Sequence, residues 1–429
     1  MSRLAQWRAR GLLSTDNLLV LANLGSRGFG FLVSLVLART AGIGMLGAYS
    51  SLQISSSAPT TPLSLPLANS ATLMAAEHTA SQGLHAVAAA HRRLLLPLGL
   101  LVVGGSCGLV ALANDAEGSP IGLGLSLGMV ALLAVAQLLT QFAVGLYHGA
   151  QRGLDCALAI GSTMALGIVL CLPVVWWFGV TGALWLATFT AAGPGLWLLI
   201  RLRPAPDANR SVEAEAALRC EAVARLRQAA PSVVSTVIRN GTSWFCCIYL
   251  TQVHHGHVGV GLITIGLQWI MLMQLPISSW GGRIVSDLGD AGLNSTAKFE
   301  QHLWKWARKC VLVTAALSAL IALCFPGLAL LYKADPWLLT GLMAINALAS
   351  TLAASTYVYE RAAFCLHKQR AWLWLSGGAD AVQIVFTLLL APYSLFFIVT
   401  GPIISTLLLI LGARWFVLPS AAGRRSDLS

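Results

Sequence analysis

The stretch LANLGSRGFGFLVS, residues 21–34, decides what kind of protein this chain can be. It lies inside an apolar run, about residues 17–38, that is long enough to cross a bilayer as a helix. At its centre stands Arg27, and an arginine at the middle of a spanning helix costs about 2.5–3.5 kcal/mol on insertion scales. A charge of that cost indicates a helix that faces a protein interior or a wet cavity.

Apolar runs of similar length recur along the whole chain, which is 57% hydrophobic and 10% charged. Soluble domains are about 25% charged. The runs are continuous and not alternating, which excludes a β-barrel. The sequence therefore predicts an all-α polytopic membrane protein with about twelve transmembrane helices. The predicted spans are 17–38, 44–69, 94–114, 121–147, 157–178, 181–200, 231–252, 258–280, 308–331, 336–358, 371–391 and 394–416.

The positive charges predict the orientation. Of the 27 Lys and Arg residues, all but four fall on the side that twelve spans assign to both termini. Arg39 and Lys333 lie on the opposite side, while Arg27 and Arg239 fall within spans. The positive-inside rule then predicts cytoplasmic termini in a bacterial inner membrane. The formal charge of +11 reflects this orientation and contact with membrane lipids, so no nucleic-acid partner is expected.

One long cytoplasmic segment, 201–230, divides the chain. It begins with RLRPAPDANRS, which is typical of a linker, and continues as VEAEAALRCEAVARLRQAA, which predicts an amphipathic helix on the membrane surface. The predicted domains are an N-terminal six-helix bundle, 1–200, this linker with its helix, and a C-terminal six-helix bundle, 231–429.

The two bundles resemble each other in sequence. Arg27 and Arg239 lie at matching depths, 212 residues apart, and SLQIS with Gln53 parallels GLQWI with Gln268. Because six spans are an even number, both halves have the same orientation. The pattern predicts two bundles related by a pseudo-two-fold axis along the membrane normal.

Polar side chains of the spans form stripes along helix faces, which indicates a bundle interior or a wet cavity. Only Asp380 is an acidic residue well inside a span, so it is the candidate coupling residue or counter-ion. One carboxylate cannot neutralise both Arg27 and Arg239, which leaves a cationic site for an anionic ligand; the alternative is an arginine clamp between helices. The predicted cavity-lining residues are Asn23, Ser34, Tyr49, Gln53, Ser56, Gln137, Gln141, Ser235, Thr242, Gln268, Asn346 and Ser350.

Two longer stretches carry a family resemblance: SRGFGFLVSLVLARTAGIGMLGAYS, residues 26–50, and GLYHGAQRGLDCALAIGSTMALGIVLCLPVVWWFGVTGALWL, residues 145–186. They resemble the O-antigen and polysaccharide flippases of the multidrug/oligosaccharidyl-lipid/polysaccharide exporter superfamily. The resemblance implies alternating-access transport of an undecaprenyl-diphosphate-linked oligosaccharide, with the diphosphate between Arg27 and Arg239. Polysaccharide polymerase and chain-length proteins would then be its partners.

Other functions remain open. A drug or cation exporter of the same superfamily would need carboxylates in its cavity, and the first-half spans contain none. A polymerase or ligase acting on the same lipid would need a positioned acid or base, and a scaffold role also remains. The nine cysteines show no metal-ligand spacing, and the cluster His254, His255 and His257 is interpreted as a solvated turn. No catalytic residue, metal or cofactor is therefore expected.

Overall fold

The computed structural model describes residues 15–417 except the short segments 118–120, 203–211, 254–255, 275, 278–279, 281–283, 286, 290–294 and 367. Its elements are helices, and these described ranges contain no strand. By length and composition, six of the described helices can cross a membrane. The predicted class, an all-α multi-pass membrane protein, is confirmed. The six are Leu84–Ala113, Leu123–Gly149, Gly153–Ile200, Ala297–Leu331, Pro336–Ala363 and Gln369–Leu390.

The chain forms two compact units. Unit 1 comprises Met1–Ala41 and Ala48–Val237, and unit 2 comprises Gly42–Gly47 and Ile238–Ser429. The helices are α1 Thr15–Ala41, α2 Ile43–Gln82, α3 Leu84–Glu117, α4 Leu123–Gly149, α5 Gly153–Ile200, α6 Val212–Gln228, α7 Ala230–Val253, α8 Val258–Met273, α9 Thr296–Leu331, α10 Pro336–Cys365, α11 Gln369–Leu390 and α12 Leu395–Gly412, followed by a π-helical turn, Ala413–Val417.

Helix α5 contains a hairpin of two spans. Its backbone leaves helical geometry at Gly179, where φ is 55°, a value that glycine adopts without strain. Beyond this point the chain runs back along itself, because Gly193 lies against Thr163 and Gly167 against Thr190. The predicted spans 157–178 and 181–200 are these two arms. The arms pack against α1 and α4.

Helix α6 corresponds to the amphipathic helix that the sequence predicts on the membrane surface. Leu218 and Ala222 of its apolar face are buried against α2 and α3 in one cluster with Met74, Ala75 and Val87. Helix α2 provides part of this surface because it continues to Gln82, well beyond the predicted end of its span at residue 69. Protein thus covers this part of the apolar face of α6.

Unit 2 is built from helices with clear sequence signals at their ends. Ser295 and Ser394 cap α9 and α12 by accepting backbone N–H bonds, as serine does at helix N-termini. Helix α8 ends at Met273, before the predicted end at residue 280. Pro276 accounts for this early end, because proline lacks the N–H that a continuing helix needs and its ring clashes with the preceding turn.

The core of unit 2 joins α9, α10, α11 and the π-helical turn. Phe299 and Tyr359 are among its largest buried side chains, and Trp306 and Trp372 pack into the same cluster. Helix α10 also packs on α8 and α12. This arrangement leaves space between the polar faces of the helices, and that space forms the cavity described next.

Candidate functional site

Unit 2 contains a cavity of about 280 Å³. It is lined by α7, α10, α11 and α12, together with the residues that follow α8. The volume is close to the lower end of the range for small-molecule sites, so it suits one ring or one polar group of a ligand. Its principal polar residues are Arg239, Gln274, Tyr357, Glu360, Asp380 and Gln383.

Contacts between α7 and α11 position the charged residues of this cavity. The Cys246 thiol donates to the Thr387 hydroxyl at 3.4 Å, and Tyr249 donates to the Leu388 carbonyl at 3.0 Å. These contacts set the two helices side by side. Arg239 of α7 and Asp380 of α11, each about two turns away, therefore line the same space.

The cavity holds charges of both signs. Arg239 is exposed, whereas Asp380 and Glu360 are half-buried. Arg239 interacts electrostatically with the Asp380 carboxyl, although these two described residues form no ion pair within 4.0 Å. Two carboxylates face one arginine here, so the cavity can receive a proton or a cationic group at the acids and an anionic group at the arginine.

Tyr357 and Trp372 add aromatic surface to the cavity. Arg361 stacks over the Tyr357 ring at 4.7 Å and donates to its hydroxyl at 3.3 Å. Trp372 is 6% exposed, and its indole N–H has no hydrogen-bond partner among the described residues. A buried donor without a partner costs about 1–3 kcal/mol, so this N–H is available to a ligand acceptor.

Arg27 lies on α1 in unit 1, and its side chain is exposed. The opposite face of α1, with Phe29, Val33 and Leu37, is buried. The apolar residues thus hold α1 against α5 and leave the Arg27 face outside the core of the unit. Of its predicted neighbours, Ser34 donates to the Gly30 carbonyl at 3.0 Å, while the side chain of Asn23 lies outside the described residues.

The remaining predicted residues are dispersed. In α2, Gln53 donates to the Tyr49 hydroxyl at 2.7 Å. On α10, Asn346 and Ser350 are buried one turn apart, and the Asn346 amide lies against Gly266 of α8. None of these four residues lines the unit 2 cavity. The other predicted residues do not line it either: Ser56 and Thr242 are buried, Gln137, Ser235 and Gln268 are half-buried, and Gln141 is exposed.

The structure thus unites Arg239 and Asp380 in one cavity and adds residues that the polar stripes did not identify. Gln274 follows the end of α8, and Ser405 and Thr406 follow Pro402 in α12. Their polarity was visible in the sequence, but no spacing linked them to α7 or α11. The sequence gives no signal for Trp372, because only its surroundings reveal that its N–H lacks a partner among the described residues.

A second cluster of titratable groups joins α2 and α6 in unit 1. Glu77, His78 and Glu221 bring potential metal-ligand atoms within 4.8 Å of one another. Arg225 donates to Glu77 at 2.5 Å and to Glu221 at 2.6 Å, so one guanidinium bonds both carboxylates and offsets one of their two negative charges. Burial opposes the charge on Glu221, but hydrogen bonds from Arg225 and His78 lower its pKa below the ordinary value. The cluster is an ion-pair latch for α6.

Of the sequence cluster interpreted as a solvated turn, His254 and His255 lie outside the described residues. His257 is half-buried immediately before α8. Its carbonyl accepts from the Gly261 N–H at 2.9 Å, which begins the helix.

No protein-family model matches the chain, and no curated protein matches it significantly in sequence. Solved structures do match. An inward-facing multidrug resistance MATE family transporter of the MOP superfamily superposes with a TM-score of 0.75 at 18% identity, over 94% of this chain and 95% of that one. A eukaryotic MATE transporter gives 0.64 at 13% identity, over 98% and 100%.

A third structure is a MOP superfamily transporter from Pyrococcus furiosus, described as having a binding pocket of reverse polarity that suggests a different function. It gives a TM-score of 0.59 at 17% identity, over 96% of this chain and 93% of that one. At such identities a likeness concerns the fold. This chain therefore has the fold of the MATE transporters of the MOP superfamily.

Proposed function

We propose that this chain is a membrane transporter that exports an organic solute. The observation that carries the proposal is the shared fold, which extends over 94% of this chain and 95% of the multidrug resistance transporter at a TM-score of 0.75. The polar cavity in unit 2 supports it, because a transporter needs a site within its spans that recognises the cargo.

The first candidate cargo is an organic cation. Structural neighbours include a multidrug resistance transporter, and the unit 2 cavity offers Asp380 and Glu360 beside the rings of Tyr357 and Trp372. Carboxylates and aromatic faces are the groups that attract organic cations. The sequence argument against such an exporter was the shortage of carboxylates in the first half, and these two acids of the second half weaken it.

The second candidate cargo is the lipid-linked oligosaccharide that the sequence resemblance implies. The observation in its favour is the pair of arginines, since Arg27 is exposed on α1 and Arg239 lines the unit 2 cavity. A guanidinium recognises phosphate through paired N–H bonds. The MOP transporter of reverse pocket polarity illustrates that this fold is not tied to one sign of charge. Only this second candidate cargo implies polysaccharide polymerase and chain-length proteins as partners.

One experiment separates the two cargoes. A strain that depends on this protein is assayed both for extrusion of a fluorescent organic cation and for surface polysaccharide. Two charge-removing variants are compared, Asp380→Asn/Glu360→Gln and Arg27→Gln/Arg239→Gln. Cation export predicts loss of extrusion with the first variant, and flipping of the lipid predicts loss of polysaccharide with the second. If deleting the protein changes neither readout, the transporter proposal is wrong.

We also propose an inner-membrane location with cytoplasmic termini. The arginine-bearing segments after α4 and α5 meet in unit 1 at the junction of α2 and α3. In unit 2, Arg414 stacks over Trp304, and Lys309 lies against Trp280 and Trp306. Each unit thus brings together basic residues from separate elements, which supports the charge-based orientation.

A further inference from the structure

A second cavity of about 710 Å³ lies in unit 1, at the ends of three candidate spans. Its lining includes Gly83 and His85 at the junction of α2 and α3, Arg152 between α4 and α5, and Arg201 just after α5. These positions border the spans Leu84–Ala113, Leu123–Gly149 and Gly153–Ile200. The cavity therefore lies at the ends of candidate spanning helices and not at the middle of their length.

Arg152 and Arg201 share one carboxylate at this cavity. Asp155 accepts from Arg152 Nε at 2.8 Å and lies 3.6 Å from Arg201 Nη1. One carboxylate balances only one of the two positive charges. It also cannot engage all ten N–H donors of two guanidinium groups. The two arginines therefore keep a net positive charge and N–H donors that a further ligand can bind. Both side chains are about half exposed, at 48% and 49%.

Aromatic rings hold the two guanidinium groups in place. Arg152 stacks over Tyr147 at 4.9 Å, and Arg201 over Trp197 at 4.8 Å. The Tyr147 hydroxyl in turn donates to the Leu198 carbonyl at 2.9 Å, which ties the end of α4 to α5. Stacking and a shared carboxylate restrict both side chains, so a ligand would lose less free energy in ordering them.

The same cavity has an apolar side. Leu84 and Leu202 line it, and so does Ile200, which is 81% exposed. A ligand that fits both sides carries an anionic head for the arginines and an apolar chain for the leucines and isoleucine. Basic pockets of this kind at the cytoplasmic ends of spanning helices suit the head groups of anionic lipids.

We propose that the cavity formed by His85, Arg152 and Arg201 binds a phosphate group, and that the phosphate belongs to an anionic phospholipid. The site is separate from the unit 2 cavity, and it does not depend on which cargo the protein carries. By bridging the ends of α3, α4 and α5, the bound lipid stabilises unit 1.

Binding is measured by mass spectrometry of the intact full-length protein, titrated with phosphatidylglycerol or with phosphatidylcholine of the same acyl chains. The wild-type protein should prefer phosphatidylglycerol. Arg152→Gln/Arg201→Gln should weaken its binding by about fivefold for each arginine removed. The matched control is Arg92→Gln/Arg93→Gln, which removes two exposed arginines of α3 outside this cavity. This control should keep the preference.

The variant Arg152→Lys/Arg201→Lys is the control for misfolding. It keeps both positive charges, so it should retain much of the preference for phosphatidylglycerol. Equal binding of the two lipids to wild type would overturn the proposal, as would an unchanged preference in the glutamine variant. Inorganic phosphate and glycerol 3-phosphate serve as competitors in the same titration. If either displaces the lipid at millimolar excess, the phosphate site stands but its ligand is a soluble phosphate compound.

Discussion

Arg239 of α7 and Asp380 of α11 line one cavity of unit 2 without forming an ion pair within 4.0 Å. Contacts of Cys246 with Thr387 and of Tyr249 with Leu388 hold their two helices together. A carboxylate and a guanidinium that share a space but are not bonded to each other can each engage a ligand or a proton. Under the proposed transport function, we therefore expect the charge of Asp380 to be required.

Replacing Asp380 by asparagine should therefore reduce transport at least tenfold while leaving the melting temperature nearly unchanged. Asparagine keeps the shape and hydrogen bonding of the side chain but cannot ionise or carry a proton. Transport is measured with the purified protein in vesicles, and Asp335→Asn, at the exposed start of α10, is the control. Full transport by Asp380→Asn across a range of pH would refute a role for its charge.

The buried N–H of Trp372 should contribute to cargo binding. Trp372→Phe keeps an aromatic ring in the cavity but removes the donor, so the apparent affinity for cargo should fall roughly three- to tenfold, as for loss of one hydrogen bond. The melting temperature should fall only modestly, because the smaller ring leaves a cavity in the core cluster while the unbonded donor is removed. Trp374→Phe is the matched control, since Trp374 is 81% exposed. An unchanged affinity in Trp372→Phe would mean that cargo does not bond this N–H.

The ion-pair latch should hold α6 against unit 1. Arg225→Gln removes the bonds to Glu77 and Glu221, and for such half-exposed pairs the loss is about 1 kcal/mol or less. Hydrogen exchange in α6 should become faster, by up to about fivefold. Arg227→Gln, two residues along the same helix and exposed, should leave the exchange unchanged. Equal exchange in both variants would contradict the latch.

The latch should also weaken in acid. The pKa of Glu221 is lower in the folded protein than its ordinary value. Its stabilising contribution is therefore complete above the ordinary glutamate pKa of about 4.3 and is lost as the pH falls through the lower folded-state value. Protection of the α6 amides, measured by hydrogen exchange and corrected for the intrinsic pH dependence of amide exchange, should fall near the acidic end of a series from pH 7 to pH 3. In Glu221→Gln this additional loss of protection should be absent.

Close packing of α2 against α4 should make Gly149 intolerant of a side chain. A Cβ atom there would overlap the Thr72 carbonyl oxygen and lie 2.8 Å from Ala75 Cβ. Gly149→Ala should destabilise the protein by about 1–3 kcal/mol, as overpacking does. Gly161→Ala, where no described atom beyond the local helix backbone lies within 4 Å of the added carbon, should not lower the melting temperature. A Gly149→Ala variant that melts at the wild-type temperature would show that the helices separate easily.

The proposed orientation can be tested on two exposed residues of unit 2. Asp335 lies between α9 and α10, and Arg370 lies at the start of α11. In a variant without the nine native cysteines, a cysteine at residue 335 should react with an impermeant reagent in intact cells. A cysteine at residue 370 should react only after the cells are opened. The reverse pattern would place the termini outside.

The sequence by itself determined the helical class and much of the helix order. Lengths of apolar runs are local properties, and so are the breaks between them. The apolar runs predict two spans within α5, 157–178 and 181–200, and the turn between them falls at Gly179, where glycine adopts a positive φ without strain. The helical pattern after residue 211 likewise predicted α6.

Only the tertiary structure decided which surfaces meet. Helical periodicity identifies the polar or apolar face of a helix but not the neighbour that covers it. Periodicity does not tell whether the apolar face of α6 contacts lipid or protein. In the structure this face packs on protein, against Met74 and Val87. The unit 2 cavity joins residues from Arg239 to Leu409 that no sequence spacing connects. Arg152 and Arg201 share Asp155 because the α5 hairpin brings both of its ends together.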